Sequence, residues 1–262
     1  MVGEPSCELF SQRREALTHP RDHLLDTKKV PLVRRDSPFE TRYSSLPAMR
    51  PSKKSIRPPV LPKQLSVAHP SNLDGVELEQ CRLDTCALSK QAGERVRFDG
   101  VHVVGGALSE TKLAQLTWLD VVCERCDLSM IDWPRAKLTR VELRGCRVTG
   151  ARLALVELDD VRWVDCHLDY ASFSEARLRQ VSFEKCRLKE ADFTGADLAG
   201  TAFTECAMEG VDLTRAKLHG ADVSTSTLGQ VRVGAGDVRG LIVNREQAAA
   251  LAQLFGLVLR DE

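Results

Sequence analysis

The positions whose number leaves remainder three on division by five run from Leu73 to Val238, and Gly93 is the only one of them that is not apolar. Two places before nearly every one of these centres stands Ala, Val, Cys, Ser, Thr or Gly. Between 166 and 201 these are Cys166, Ala171, Ala176, Val181, Cys186, Ala191, Ala196 and Thr201. All 49 charged residues between 71 and 240 fall in the other three phases. A period of five is neither the 3.6 of a helix nor the 2.0 of a half-buried strand, so the pattern predicts a repeat architecture. A chain that turns two residues of every five inward and three outward closes a square coil every four units. Stacked coils spaced like parallel strands, about 4.8 Å apart, would build from residues 71–240 a rod of about 8.5 coils and about 40 Å.

Positions twenty apart share a side of the square. Phe173 and Phe193 therefore fall on one side and Phe183 and Phe203 on the opposite one, with Leu168, Leu178, Leu188 and Leu198 on the two sides between. Such alternation lets rings interleave in a narrow core. Two stretches depart from the frame. Residues 89–97 predict a bulge or an extruded loop, and Pro134 cannot donate to a ladder.

Beyond Val238 the pattern changes. Asn244 and Gln247 have the spacing of a capping box, the residues from Ala248 to Phe255 are helix formers, and Gly256 is a terminator. The end of a solenoid exposes strand edges and bulky side chains, so this segment reads as a cap. Its apolar residues Leu251, Leu254, Phe255 and Leu257 are assigned to the cap and to a homodimer contact.

Composition changes the picture at the amino end. Residues 1–70 contain ten of the 11 prolines, and 13 Lys/Arg against 7 Asp/Glu make them +6. The remaining 24 Lys/Arg and 30 Asp/Glu make residues 71–262 −6, so the zero net charge conceals an asymmetry. Residues 1–70 read as a disordered, basic, proline-rich tail, with Met49–Lys63 open as a partner- or nucleic-acid-binding arm and Met49 open as the translation start. The amino-terminal residues lack the apolar run of a signal peptide, and no stretch of about 18 apolar residues occurs. With nine cysteines, a reducing cytoplasm is expected.

The cysteines are the most conspicuous chemistry. Cys126, Cys146, Cys166, Cys186 and Cys206 recur every twenty residues and must stack in one column. Zinc needs ligands gathered around a point, which a straight ladder does not offer. In the small inward phase a cysteine acts as a compact apolar residue, so packing is the expectation. Cys123 and Cys126 form a CxxC with both residues in inward phases. His102, His167 and His219 fall on different coils, Trp118, Trp133 and Trp163 occupy centres, and no nucleophile–base pair or phosphate loop is evident. The expectation is a protein with no catalytic residue, metal or cofactor.

The units Ala191-Asp192-Phe193-Thr194-Gly195 and Ala196-Asp197-Leu198-Ala199-Gly200 resemble the repeat of the pentapeptide-repeat proteins. The resemblance covers about two-thirds of the chain and implies an all-β solenoid, a right-handed quadrilateral β-helix of about eight coils with a C-terminal capping helix. The segment from Gly240 resembles the C-terminal module of the fluoroquinolone-resistance members, where it caps the helix and joins two subunits. The implied function is a non-catalytic scaffold for a protein partner. The alternative is a DNA mimic acting on a type II topoisomerase. Direct nucleic-acid binding by the rod, a small-molecule substrate and a membrane are not expected.

Overall fold

The computed structural model describes residues 55–260; the expectations for residues 1–54, including a start at Met49, lie outside them. Each coil takes twenty residues, and every coil-to-coil pairing from Glu77 onward is parallel and in register at that offset, as in Trp163 against Phe183. The result is a quadrilateral β-solenoid of about eight turns with one helix at its C-terminal end.

The five phases divide the backbone's hydrogen bonds among them. Phe173 N donates to Asp192 O at 2.7 Å and Tyr170 N to Lys189 O at 2.8 Å, while Ser172 N reaches back to Ala151 O at 2.8 Å. Three N–H groups in five thus join coil to coil. At some corners a fourth closes the turn, as Ala171 N does on Leu168 O at 3.1 Å. The fifth belongs to the residue just after each centre and points outward. On several coils an aspartate two places before it accepts that proton: Asp192 from Thr194, Asp212 from Thr214 and Asp222 from Ser224, at 2.9–3.0 Å. This local Asx bond is the physical reason for aspartate in the Ala-Asp-Phe unit.

That division explains Pro134. It occupies the phase whose N–H is outside the ladder, at the second position of a turn between Trp133 and Ala136. Arg135 follows at φ 58°, the geometry of a type II turn, which favours proline there. Every non-glycine residue with positive φ has a number divisible by five, so this phase makes all the corners of that kind.

The expected bulge at 89–97 does not occur. Ala92–Glu94 pairs with Lys112–Ala114, with Gly93 opposite Leu113 in unbroken register. A Cβ at Gly93 would lie 2.8 Å from the Leu73 carbonyl oxygen, so the missing side chain is what permits the close approach of backbone.

Inside, two aromatic columns meet. Phe173 stacks on Phe193 with centroids 5.1 Å apart, and Trp163, Phe183 and Phe203 stack along the other side. Rings of opposite columns meet edge to face at 6.0–6.1 Å. Leu168, Leu178, Leu188 and Leu198 are buried between them.

Residues 55–70, read from the sequence as part of the tail, lie against the rod. Ser66–Val67 pairs in parallel with Cys81–Arg82, an offset of fifteen, and so covers the first exposed edge. Upstream, Arg57 and Val60 bond to Asp160 and Asp120. The polar contacts that order this segment connect residues far apart in sequence, which composition does not register.

Candidate interaction surface

Three of every five side chains face out, and stacking at intervals of twenty arranges them in columns. One column reads Lys137, Glu157, Arg177, Asp197, Lys217, with Lys137–Glu157 at 3.6 Å, Arg177–Glu157 at 3.9 Å and Lys217–Asp197 at 3.3 Å. Another carries Asp132–Arg152 at 3.6 Å and Asp212–Arg232 at 3.0 Å. In the first column the sign of charge alternates from coil to coil, an arrangement that keeps like charges apart, whereas in the second Asp192 and Asp212 stand on successive coils. Individually such exposed pairs contribute little to stability.

One corner departs from the exposed pattern. Thr117–Glu124, Lys137–Arg144, Glu157–Val164 and Arg177–Glu184 run as eight-residue strands through two sides of the square. On them the outward-phase residues Asp120, Val122, Glu142, Asp160 and Ser182 are buried. Residues 57–60 run along this corner against the direction of the coils. Arg57 donates from its backbone N–H to Asp160 Oδ1 at 2.9 Å and from Nε to Oδ2 at 2.6 Å. Val60 N–H donates to Asp120 Oδ1 at 2.9 Å, and Arg140 clamps the same carboxylate with Nε at 2.7 Å and a terminal nitrogen at 2.5 Å. Burial alone would raise the Asp120 pKa, but the Arg140 guanidinium and the Val60 N–H outweigh it and hold it below the usual carboxylate range. Sequence periodicity marks Asp120 and Asp160 only as outward residues and gives no sign of this corner.

The thiols are inside. Cys126, Cys146, Cys166, Cys186 and Cys206 are buried and unpaired, and each donates to two carbonyls, Cys166 for instance to Leu143 O at 3.5 Å and Val164 O at 3.3 Å. Ser226 continues the column, its hydroxyl donating to Phe203 O at 2.9 Å. The adjoining Cys126 thiol and burial push Cys123 well above the ordinary range. Cys126 is itself pushed up to about 12, because the lowering influence of Cys123 is overcome by Cys146 and burial. A buried thiol held protonated is a poor nucleophile and a poor metal ligand. His102, His167 and His219 are apart on different coils, and the three tryptophans are buried, so their rings present no face to solvent.

At the C-terminal end the helix Arg245–Leu254 begins with the reciprocal bonds of Asn244 and Gln247, both 2.9 Å. The same two side chains tie the helix to the last coil. Asn244 Nδ2 donates to Ser224 O at 2.9 Å, and Gln247 Nε2 donates to Val223 O and Ser226 O at 2.8 and 2.7 Å. Leu251 is buried and Phe255 half-buried, whereas Leu254, Leu257 and Val258 are 52%, 62% and 88% exposed. Capping-box spacing is legible in the sequence; the use of Gln247 to bond two coil carbonyls is not.

Residues 136–213 match the model of the pentapeptide repeat region. A search of curated protein sequences finds no match. Among solved structures, a trypsin-treated form of QnrB1, a plasmid-mediated fluoroquinolone resistance protein, is 21% identical over 75% of this chain and 99% of its own, with a TM-score of 0.35. HetL, a pentapeptide repeat protein involved in heterocyst differentiation regulation in the cyanobacterium Nostoc, is 18% identical over 62% of this chain and 84% of its own, with a TM-score of 0.35. A pentapeptide repeat protein of the Arabidopsis thaliana thylakoid lumen is 17% identical over 48% and 71%, with a TM-score of 0.25. The five-residue frame runs unbroken through residues 136–213, the part of this chain that matches the pentapeptide repeat region.

Proposed function

We propose that this chain is a non-catalytic rod that binds another protein through its outward phases. The observation that carries the reading is where its chemically capable groups lie. The ladder thiols and all three tryptophans are used for packing, and the outward columns present paired charges on a rigid, regular lattice. A rigid surface loses little conformational entropy on binding, which suits a scaffold. Capture by the full chain, repeated with Lys217→Glu and Arg232→Glu, tests it. Loss of an identified partner with an unchanged thermal midpoint supports the reading. A partner indifferent to every outward reversal but lost on removing residues 1–54 would overturn it.

Mimicry of duplex DNA at a type II topoisomerase is the narrower alternative, and it calls for dense negative charge along the rod. The alternating column from Lys137 to Lys217 counts against it, as do 22 Lys/Arg beside 27 Asp/Glu between 71 and 240. Supercoiling by purified gyrase, titrated with the protein with and without a quinolone, discriminates. Inhibition or protection at micromolar protein or below would replace the general scaffold with mimicry.

The exposed Leu254, Leu257 and Val258 support a homodimer through the C-terminal end. Light scattering that gives a monomer mass at every concentration would exclude it. A dimer abolished by Val258→Asp would support it. No helix among the described residues is long and apolar enough to cross a membrane. The eight cysteines among the described residues are all unpaired, which suits a reducing compartment and supports a cytoplasmic location.

A further inference from the structure

The corner lined by Asp120, Arg140 and Asp160 has the features of a built recognition site. The Asp160 side chain is 0% exposed, yet its hydrogen-bond donors among the described residues all come from Arg57, whose own side chain is 61% exposed. A carboxylate has been taken out of water for a partner that remains largely in it. In Arg57-Pro58-Pro59-Val60 the prolines have no N–H, so only Arg57 and Val60 carry one, and each donates to an aspartate. The spacing matches as well. Asp160 and Asp120 are two coils apart, about 9.6 Å at the usual strand separation. Three residues of polyproline II span about 9.3 Å, so an extended chain brings one N–H to every second coil.

We propose that this corner is a binding groove for extended Arg-Pro-Pro peptides, occupied in this chain by its own residues 57–60, and that a proline-rich, arginine-bearing segment of a partner protein takes it by displacing them. Two carboxylates two coils apart read the backbone, Asp160 reads the guanidinium, and Arg140 holds Asp120 in position. Displacement is feasible because the strap's hold is small. Val60 is 68% exposed, and the coil-to-coil ladder beneath it closes without strap residues. The tethered strap competes at an effective concentration in the millimolar range, so the groove is gated rather than open. The site would serve the binding role proposed above, but its test reads the peptide directly, so its failure leaves that role standing.

The test uses the full chain and a fluorescent peptide of residues 55–67. Arg57→Ala in the chain weakens the resident strap, and this variant should bind the peptide saturably, at least tenfold more tightly than the unaltered chain does. Adding Asp160→Asn to that variant should weaken binding at least tenfold, with the same β-sheet circular dichroism. Should the double variant fail to fold, the same loss is expected when the arginine is changed to alanine in the peptide instead. No saturable binding up to about 1 mM peptide, or equal affinity with and without the peptide's arginine, would overturn the proposal.

Discussion

Phe183 and Phe203 lie ring on ring, 4.9 Å between centroids and 4° between planes, with Phe193 edge-on to both. Each aromatic is therefore packed by the coils above and below and by the opposite column. Phe183→Ala should cost about 3–5 kcal/mol in denaturant unfolding, since such a narrow core cannot collapse onto the gap. Phe183→Asp should unfold the rod cooperatively; an unchanged thermal midpoint would contradict the inward column.

Gly93 gives an expectation opposite to the one the repeat frame suggests. Gly93→Leu restores an apolar centre, yet its Cβ would meet the Leu73 carbonyl. Overpacking of this kind costs about 1–3 kcal/mol. A higher denaturant midpoint for the variant would show that the two coils can separate at no cost.

Alkylation of the native protein at pH 8, mapped by mass spectrometry, should leave Cys123 and Cys126 unmodified. Both are buried, and with Cys126 pushed up to about 12 its thiolate is scarce at that pH. Among the described cysteines the half-buried Cys86 should react first. Rapid modification of the column from Cys126 to Cys206 without loss of β-structure would mean that the coils open locally.

Asp120 connects the strap corner to acid stability. Its folded pKa is below the unfolded value, so its contribution is present above the ordinary carboxylate pKa of about 3.9 and disappears as pH falls through the lower folded value. Asp120→Asn should lower stability at pH 7 and flatten its dependence on pH in the acid range. An acid unfolding curve parallel to that of the unaltered chain would remove Asp120 from that role.

The legible parts of this protein are those written in one phase of a short repeat. Inward positions can be read from Leu73 to Val238 because every coil applies the same steric test to the same two residues of five, and Asn244 and Gln247 can be read because a capping box is local. The parts that were not legible join residues with no fixed separation in sequence. Arg57 meets Asp160 across 103 residues, and Gln247 reaches carbonyls 21 and 24 residues back. Asp120 and Asp160 belong to the same phase as Asp165, which is exposed.

Sequence alone thus determined the period, the twenty-residue coil and the identity of the core, since burial of apolar surface acts on every repeat alike. Only the tertiary structure decided that Gly93 remains in the ladder, that Pro134 costs no hydrogen bond, and that residues 57–67 lie on the rod. Those outcomes depend on which backbone groups face one another after the coil has closed, and a one-dimensional pattern does not contain that information.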